Sequence, residues 1–222
     1  MSARTGPVAD QLAVMSGEPA ARPGRHAAPG PVFEDPPTMT MPVSALLALD
    51  TVTIGVAVMV PEPWGSHLQE CRASFGDPQA GAIPTHITLL PPTSLPRRSL
   101  AQVRAHLAAV AATTRPFRIG LRGTGTFRPV SPVVYVAVAA GAGSCDRLQR
   151  AVRSGPLARE LAFPYHPHVT VAHDVVEDSL TLAEESLRDF EAGFGVEELW
   201  LYEHGADGVW RPQEQFRFTT AG

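Results

Sequence analysis

His86-Ile87-Thr88 and His168-Val169-Thr170 are two copies of one tripeptide, His-x-Thr, each set in an apolar run that reads as a buried strand. Side chains at i and i+2 of a strand leave the same face about 7 Å apart, so each copy presents an imidazole beside a hydroxyl. Two imidazoles facing one anion are what an in-line phosphoryl displacement needs. One removes a proton from the attacking oxygen and the other protonates the leaving oxygen. The threonine hydroxyls can then bond the non-bridging oxygens. A single His-x-Thr arises by chance in many chains of this size, so the signal is the matched pair.

Strands must carry these residues and helices must cover the strands. The run TVTIGVAVMV from Thr51 reads as a central strand, and Pro61 to Phe75 as a helix. The first motif strand is expected over about 83–90, closed by Pro91-Pro92. Leu95 to Ala112 has the periodicity of an amphipathic helix. Phe117 to Phe127 and Val133 to Val138 suggest two strands of a hairpin-like pair, joined through the turn residues 128–132. Ser144 to Arg153 is a further helix and 168–172 the second motif strand. Glu177 to Phe190 reads as a helix ended by Gly193 or Gly195, and Glu197 to Tyr202 and Val209 to Phe218 as the last two strands. Alternation of strands and helices in both halves, with one motif strand in each, predicts an α+β architecture of two similar lobes. Residues 1–42 are rich in Ala, Pro and Gly and read as a disordered extension, leaving 43–222 as the folded unit.

Lysine is absent, and all 18 basic residues are arginines. A Walker-type phosphate loop, a lysine adenylate and a lysine Schiff base are thereby excluded. The formal charge of −4 argues against general duplex binding. Seven arginines and no acid lie between Arg97 and Arg128, whereas ten acids face one arginine, Arg188, between Asp174 and Glu203. This asymmetry makes either a positive wall for an anionic ligand or two solvated faces of opposite sign. Cys71 and Cys145 are too few and too far apart in sequence for a metal knuckle, and both are expected to stay reduced. No apolar run approaches membrane-spanning length and the first residues lack a secretory build, so the expectation is a cytoplasmic monomer without a membrane partner.

The stretches THITLLPPT, YHPHVTVAHD and FRPVSPVVYVAV resemble the two-histidine (2H) phosphoesterases, which include the 2′-5′ RNA ligase-like proteins and RNA 2′,3′-cyclic phosphodiesterases. The likeness covers about residues 50–220. It implies a bilobal, pseudo-twofold arrangement of two antiparallel sheets flanked by helices, with one motif strand from each lobe lining a central groove. By position it makes His86 and His168 the acid/base pair and Thr88 and Thr170 the phosphate ligands, with no metal and no cofactor. The implied substrate is a nucleotide or RNA end. Several relatives carry an arginine shortly after the second motif, where this chain has His173, and Arg128 is the candidate replacement.

Tyr135, Phe127, Tyr165 and Trp210 are candidate platforms for a base, and His166 shares the alternation face of His168. His173 falls on the opposite face and reads as structural. Two other readings compete. His166, His168, His173 and Asp174 could form a metal site of a metal-dependent hydrolase, or the groove could belong to a non-catalytic module that binds nucleotides or RNA ends.

Overall fold

The computed structural model describes residues 50–219. The extension expected over 1–42 lies outside them. In chain order the elements are β1 (Thr51–Met59), α1 (Trp64–Ser74), β2 (His86–Pro96), α2 (Leu100–Thr113), β3 (Phe117–Thr126), β4 (Val133–Ala140), α3 (Ala142–Val152), β5 (His168–His173), α4 (Glu177–Ser186), β6 (Glu191–Val196), β7 (Glu198–His204) and β8 (Trp210–Arg217). Two four-stranded antiparallel sheets result, ordered β2, β1, β7, β8 and β5, β4, β3, β6. The architecture is α+β, as expected.

The lobes are not successive halves of the chain. After completing the second sheet with β6, the chain returns through β7 and β8 to the first, where β7 pairs with β1. Each motif strand is the outer strand of its own sheet, which leaves both edges available to face one groove.

The first motif strand is longer than its prolines suggest. β2 continues through Pro91 and Pro92 to Pro96, because an edge strand needs ladder hydrogen bonds on one side only. Helix formation accordingly starts at Leu100, behind a short 3₁₀ turn at Arg97–Ser99. β6 is unanticipated. Its sequence, EAGFGV, has poor strand propensity, yet Phe194 and Val196 are buried between exposed Gly193 and Gly195. Pairing with β3, from Phe117 opposite Val196 to Arg122 opposite Glu191, imposes the extended form.

One apolar core unites the sheets and helices. Ile54, Val56 and Val58 of β1, Ile87 and Leu89 of β2, and Val134, Val136, Val169 and Val171 of the second sheet share it with Leu68, Leu107, Leu148 and Leu180 of the four helices. Burying each such side chain contributes about 1.5–3 kcal/mol. The residues between these, on the opposite strand faces, therefore line the groove.

Candidate active site

The two motif strands repeat each other in register as well as in sequence. His86 lies opposite Met59, Thr88 opposite Ala57 and Leu90 opposite Val56, so Leu89 is an extra residue. His168 lies opposite Ala137, Thr170 opposite Tyr135 and Ala172 opposite Val134, so Val171 is the extra residue. Each strand thus carries a bulge three residues after its histidine. A bulge shifts the face on which later side chains emerge. That shift corrects the expectation for His173, which lines the groove alongside His168 instead of lying on the far face.

His86, Thr88, His168 and Thr170 line the same groove. Each imidazole is anchored identically: His86 Nδ1 donates to the Pro84 carbonyl at 2.7 Å, and His168 Nδ1 donates to the His166 carbonyl at 2.7 Å. A carbonyl only accepts, so Nδ1 carries the proton and Nε2 of the neutral ring keeps its lone pair. Among the described residues neither Nε2 has a hydrogen-bond partner. The Thr88 and Thr170 hydroxyls likewise make no hydrogen bond to another described side chain or backbone group.

Burial pushes both histidines down to about 4 from the ordinary 6.5. The carbonyl bonds oppose this shift. For His86 the Arg72 guanidinium and His168 depress it further, and for His168 the ring of His166 does. Both imidazoles are therefore neutral at pH 7 before an anion arrives. The expectation of opposite protonation states applies only once charge enters the groove.

The remaining candidates separate. Tyr135 packs behind His168, with ring centroids 5.2 Å apart, and Phe127 meets the same imidazole edge-on at 5.0 Å. The phenol of Tyr135 lies over Gly125, where a Cβ would sit 2.7 Å from its Oη, so only glycine permits that placement. Tyr165 donates its hydroxyl to the Thr88 carbonyl at 2.9 Å and so ties the segment before motif two to the strand of motif one. Burial raises its pKa strongly. His166 stacks with His168 at 6.2 Å and, with Tyr165, Phe163 and Val130, lines an adjoining apolar cavity of about 560 Å³ that reaches Thr88 and His168.

Arg128 does not line the groove. Its guanidinium is taken by Glu177 and Glu184 of α4, and its Nε by Thr126 Oγ1 at 3.1 Å. The same holds for other members of the basic run. Arg97 pairs with Glu203 at 3.0 Å, Arg104 with Glu214 at 3.1 Å and Arg122 with Glu191 at 2.8 Å. Three of the seven arginines, Arg97, Arg122 and Arg128, thus meet the acidic stretch, and Arg104 meets an acid beyond it.

The groove's cation is instead Arg72, at the C-terminal end of α1. It is buried, and its Nε donates to Asp77 Oδ2 at 2.8 Å. Tyr202 and Trp210 line the same space. Sequence reasoning missed Arg72 and Tyr202, since each lies far from a motif. One signal was available: Arg72 lies outside both charge runs, in an otherwise amphipathic helix. Among the described residues no three His, Cys, Asp or Glu side chains converge as a metal site would require, so the rival reading of His166, His168, His173 and Asp174 as a metal cluster finds no such group. Nor is any described helix long and apolar enough to cross a membrane.

A family model described as the 2′-5′ RNA ligase superfamily matches residues 60–208. Two relatives, each named "Putative phosphoesterase", from Bacillus thuringiensis (strain Al Hakam) and Bacillus cereus (strain Q1), are 27% identical over 143 residues, covering 64% of this chain and 83% of theirs. LigT of E. coli, solved with 3′-AMP, is similar in fold with a TM-score of 0.54 at 22% identity, over 76% of this chain and 99% of that one. TT0787 of Thermus thermophilus gives 0.51 at 25% identity, over 75% and 97%.

Proposed function

The chain belongs to the 2′-5′ RNA ligase superfamily, and on that premise we propose that it is a phosphoesterase that opens a 2′,3′-cyclic phosphate, or a related 2′-5′ phosphodiester, of nucleotides or RNA ends. The observation that carries the proposal is the pair of imidazoles anchored through Nδ1 in the same way, with both Nε2 atoms left for one groove.

In this reading the phosphorus lies between the two Nε2 atoms. A water oxygen attacks phosphorus while one Nε2 takes its proton. The opposite P–O bond breaks, and the departing ribose oxygen receives the proton held by the other Nε2. Thr88 and Thr170 bond the non-bridging oxygens as charge builds on them. The bound phosphate anion sets the protonation states, since a negative charge beside a depressed imidazole raises its pKa and lets one ring keep a proton.

Each imidazole has a neighbour that opposes positive charge on it, Arg72 for His86 and His166 for His168, so the orientation of the bound phosphate sets which ring acts as base and which as acid. The adjoining apolar cavity, bordered by Tyr165 and His166, has the size and lining of a small-molecule pocket and accepts the base.

The test is a panel of nucleoside 2′,3′-cyclic phosphates and 2′-5′ dinucleotides incubated with EDTA, with products separated. The expected result is turnover of at least one class, to a phosphomonoester from the cyclic compounds or to a nucleoside and a nucleotide from the dinucleotides, insensitive to the chelator. Binding of these compounds with no turnover would favour the non-catalytic module.

A further inference from the structure

The groove extends from the histidines across the first sheet, where Arg72, Ile83, Tyr202 and Trp210 line it. Tyr202 stands opposite Gly55 on β1, two residues from Ala57, which faces Thr88. The distance from the motif threonine is therefore about 7 Å along the strand and two strands, about 10 Å, across. The indole of Trp210 lies over Gly55, where a Cβ would come within 3.2 Å of Cζ3.

This part of the groove holds unused polar atoms. Tyr202 Oη and Trp210 Nε1 are both sealed from solvent and make no hydrogen bond among the described residues. Tyr202 is 3% exposed and Trp210 4%. Arg72 uses Nε for Asp77, and no hydrogen bond occupies its two terminal nitrogens within the described residues. A buried donor without a partner lowers stability, so native proteins leave few of them. Two such donors and one guanidinium, all on residues that line the groove of both motif histidines, point to an acceptor that arrives from outside.

The lining specifies the acceptor. Indole N–H and guanidinium only donate, the Tyr202 hydroxyl donates as well as accepts, and among the described residues no Asp, Glu, Asn or Gln lines the groove. An oxyanion can accept from all three groups at once. We infer that this part of the groove is a subsite for a second phosphoryl group, the 5′-phosphate of a nucleotide whose cyclic phosphate lies between His86 and His168. The inference rests on the phosphodiesterase reading for the identity of the first phosphate, and it narrows the substrate from nucleosides to nucleotides.

The experiment compares kcat/KM for adenosine 2′,3′-cyclic phosphate with and without a 5′-phosphate. The wild type is expected to prefer the 5′-phosphorylated compound by about tenfold or more, the equivalent of about 1.4 kcal/mol. Tyr202→Phe and Trp210→Phe each remove one donor and should shrink that preference severalfold. Tyr202→Phe discards an atom with no partner in the free protein, so its melting temperature should match or exceed the wild type's. Equal kcat/KM for the two compounds, or a preference that Tyr202→Phe leaves intact, overturns the subsite. Calorimetry with adenosine 2′,5′-bisphosphate and adenosine 2′-monophosphate separates the two readings. A Tyr202-dependent margin for the bisphosphate without turnover of either cyclic compound upholds the subsite and refutes the phosphodiesterase. Turnover without a margin does the reverse.

Discussion

Each motif histidine donates Nδ1–H to the carbonyl two residues earlier, and that bond fixes ring orientation and tautomer together. The threonines act beside them as bare hydroxyls. Thr88→Ser and Thr170→Ser should therefore keep most of the activity, whereas Thr88→Val and Thr170→Val should each lose roughly 10²-fold in kcat, the scale for a preorganised oxyanion donor. Steady-state rates with equal melting temperatures check this, and a valine variant as fast as the serine variant contradicts it. Protonation gives a second prediction. Both histidines sit at about 4 in the free protein, and a bound anion raises the one that keeps its proton. The alkaline limb of kcat should accordingly fall at higher pH than that of kcat/KM. Coincident limbs would mean that the bound phosphate does not touch an imidazole.

At the scale of elements, the groove depends on α1 and the loop that follows it. Arg72 and Asp77 form an ion pair with side chains 6% and 0% exposed, and Asp77 Oδ1 also accepts from the Gln79 backbone at 2.8 Å. Removing one partner strands a buried charge, so Asp77→Ala should cost about 3–5 kcal/mol, read from urea unfolding. A loss below about 1 kcal/mol, the range of exposed pairs, would contradict the buried geometry. What the sequence allowed to be read follows the same divide between local and long-range order. The motif strands, β1 and the helices declare themselves through their own periodicity. β6 does not, because its extended form comes from pairing with β3 and not from EAGFGV itself. Simple alternation misplaces His173, since it cannot foresee the bulge at Val171. Arg128 lies beside the groove in sequence logic only. Its partners Glu177 and Glu184 come from a helix about 50 residues away, a contact no local pattern reports. Tyr202 and Trp210 come to line the same groove as Arg72 for the equally non-local reason that β7 and β8 rejoin the first sheet.

For the whole molecule, the pseudo-twofold repeat makes one site from two edges: β2 and β5 share the His-x-Thr tripeptide and a bulge three residues after its histidine. Building that site costs stability in acid. The folded-state values of His86 and His168 lie below the unfolded 6.5, so between about pH 4 and 6.5 the unfolded chain binds more protons. Stability should rise with pH through that window and fall away as pH drops back through it. The His86→Ala, His168→Ala double variant should show a flatter dependence, and an unchanged slope would place the histidines in an ordinary solvent environment. The central claim is that the two imidazoles act on a single phosphorus, and single-histidine variants assayed on a 2′,3′-cyclic nucleotide with EDTA present test it most directly. His86→Ala and His168→Ala are each expected to lose about 10²- to 10⁴-fold in kcat with the melting temperature retained; wild-type turnover by either variant would contradict the account.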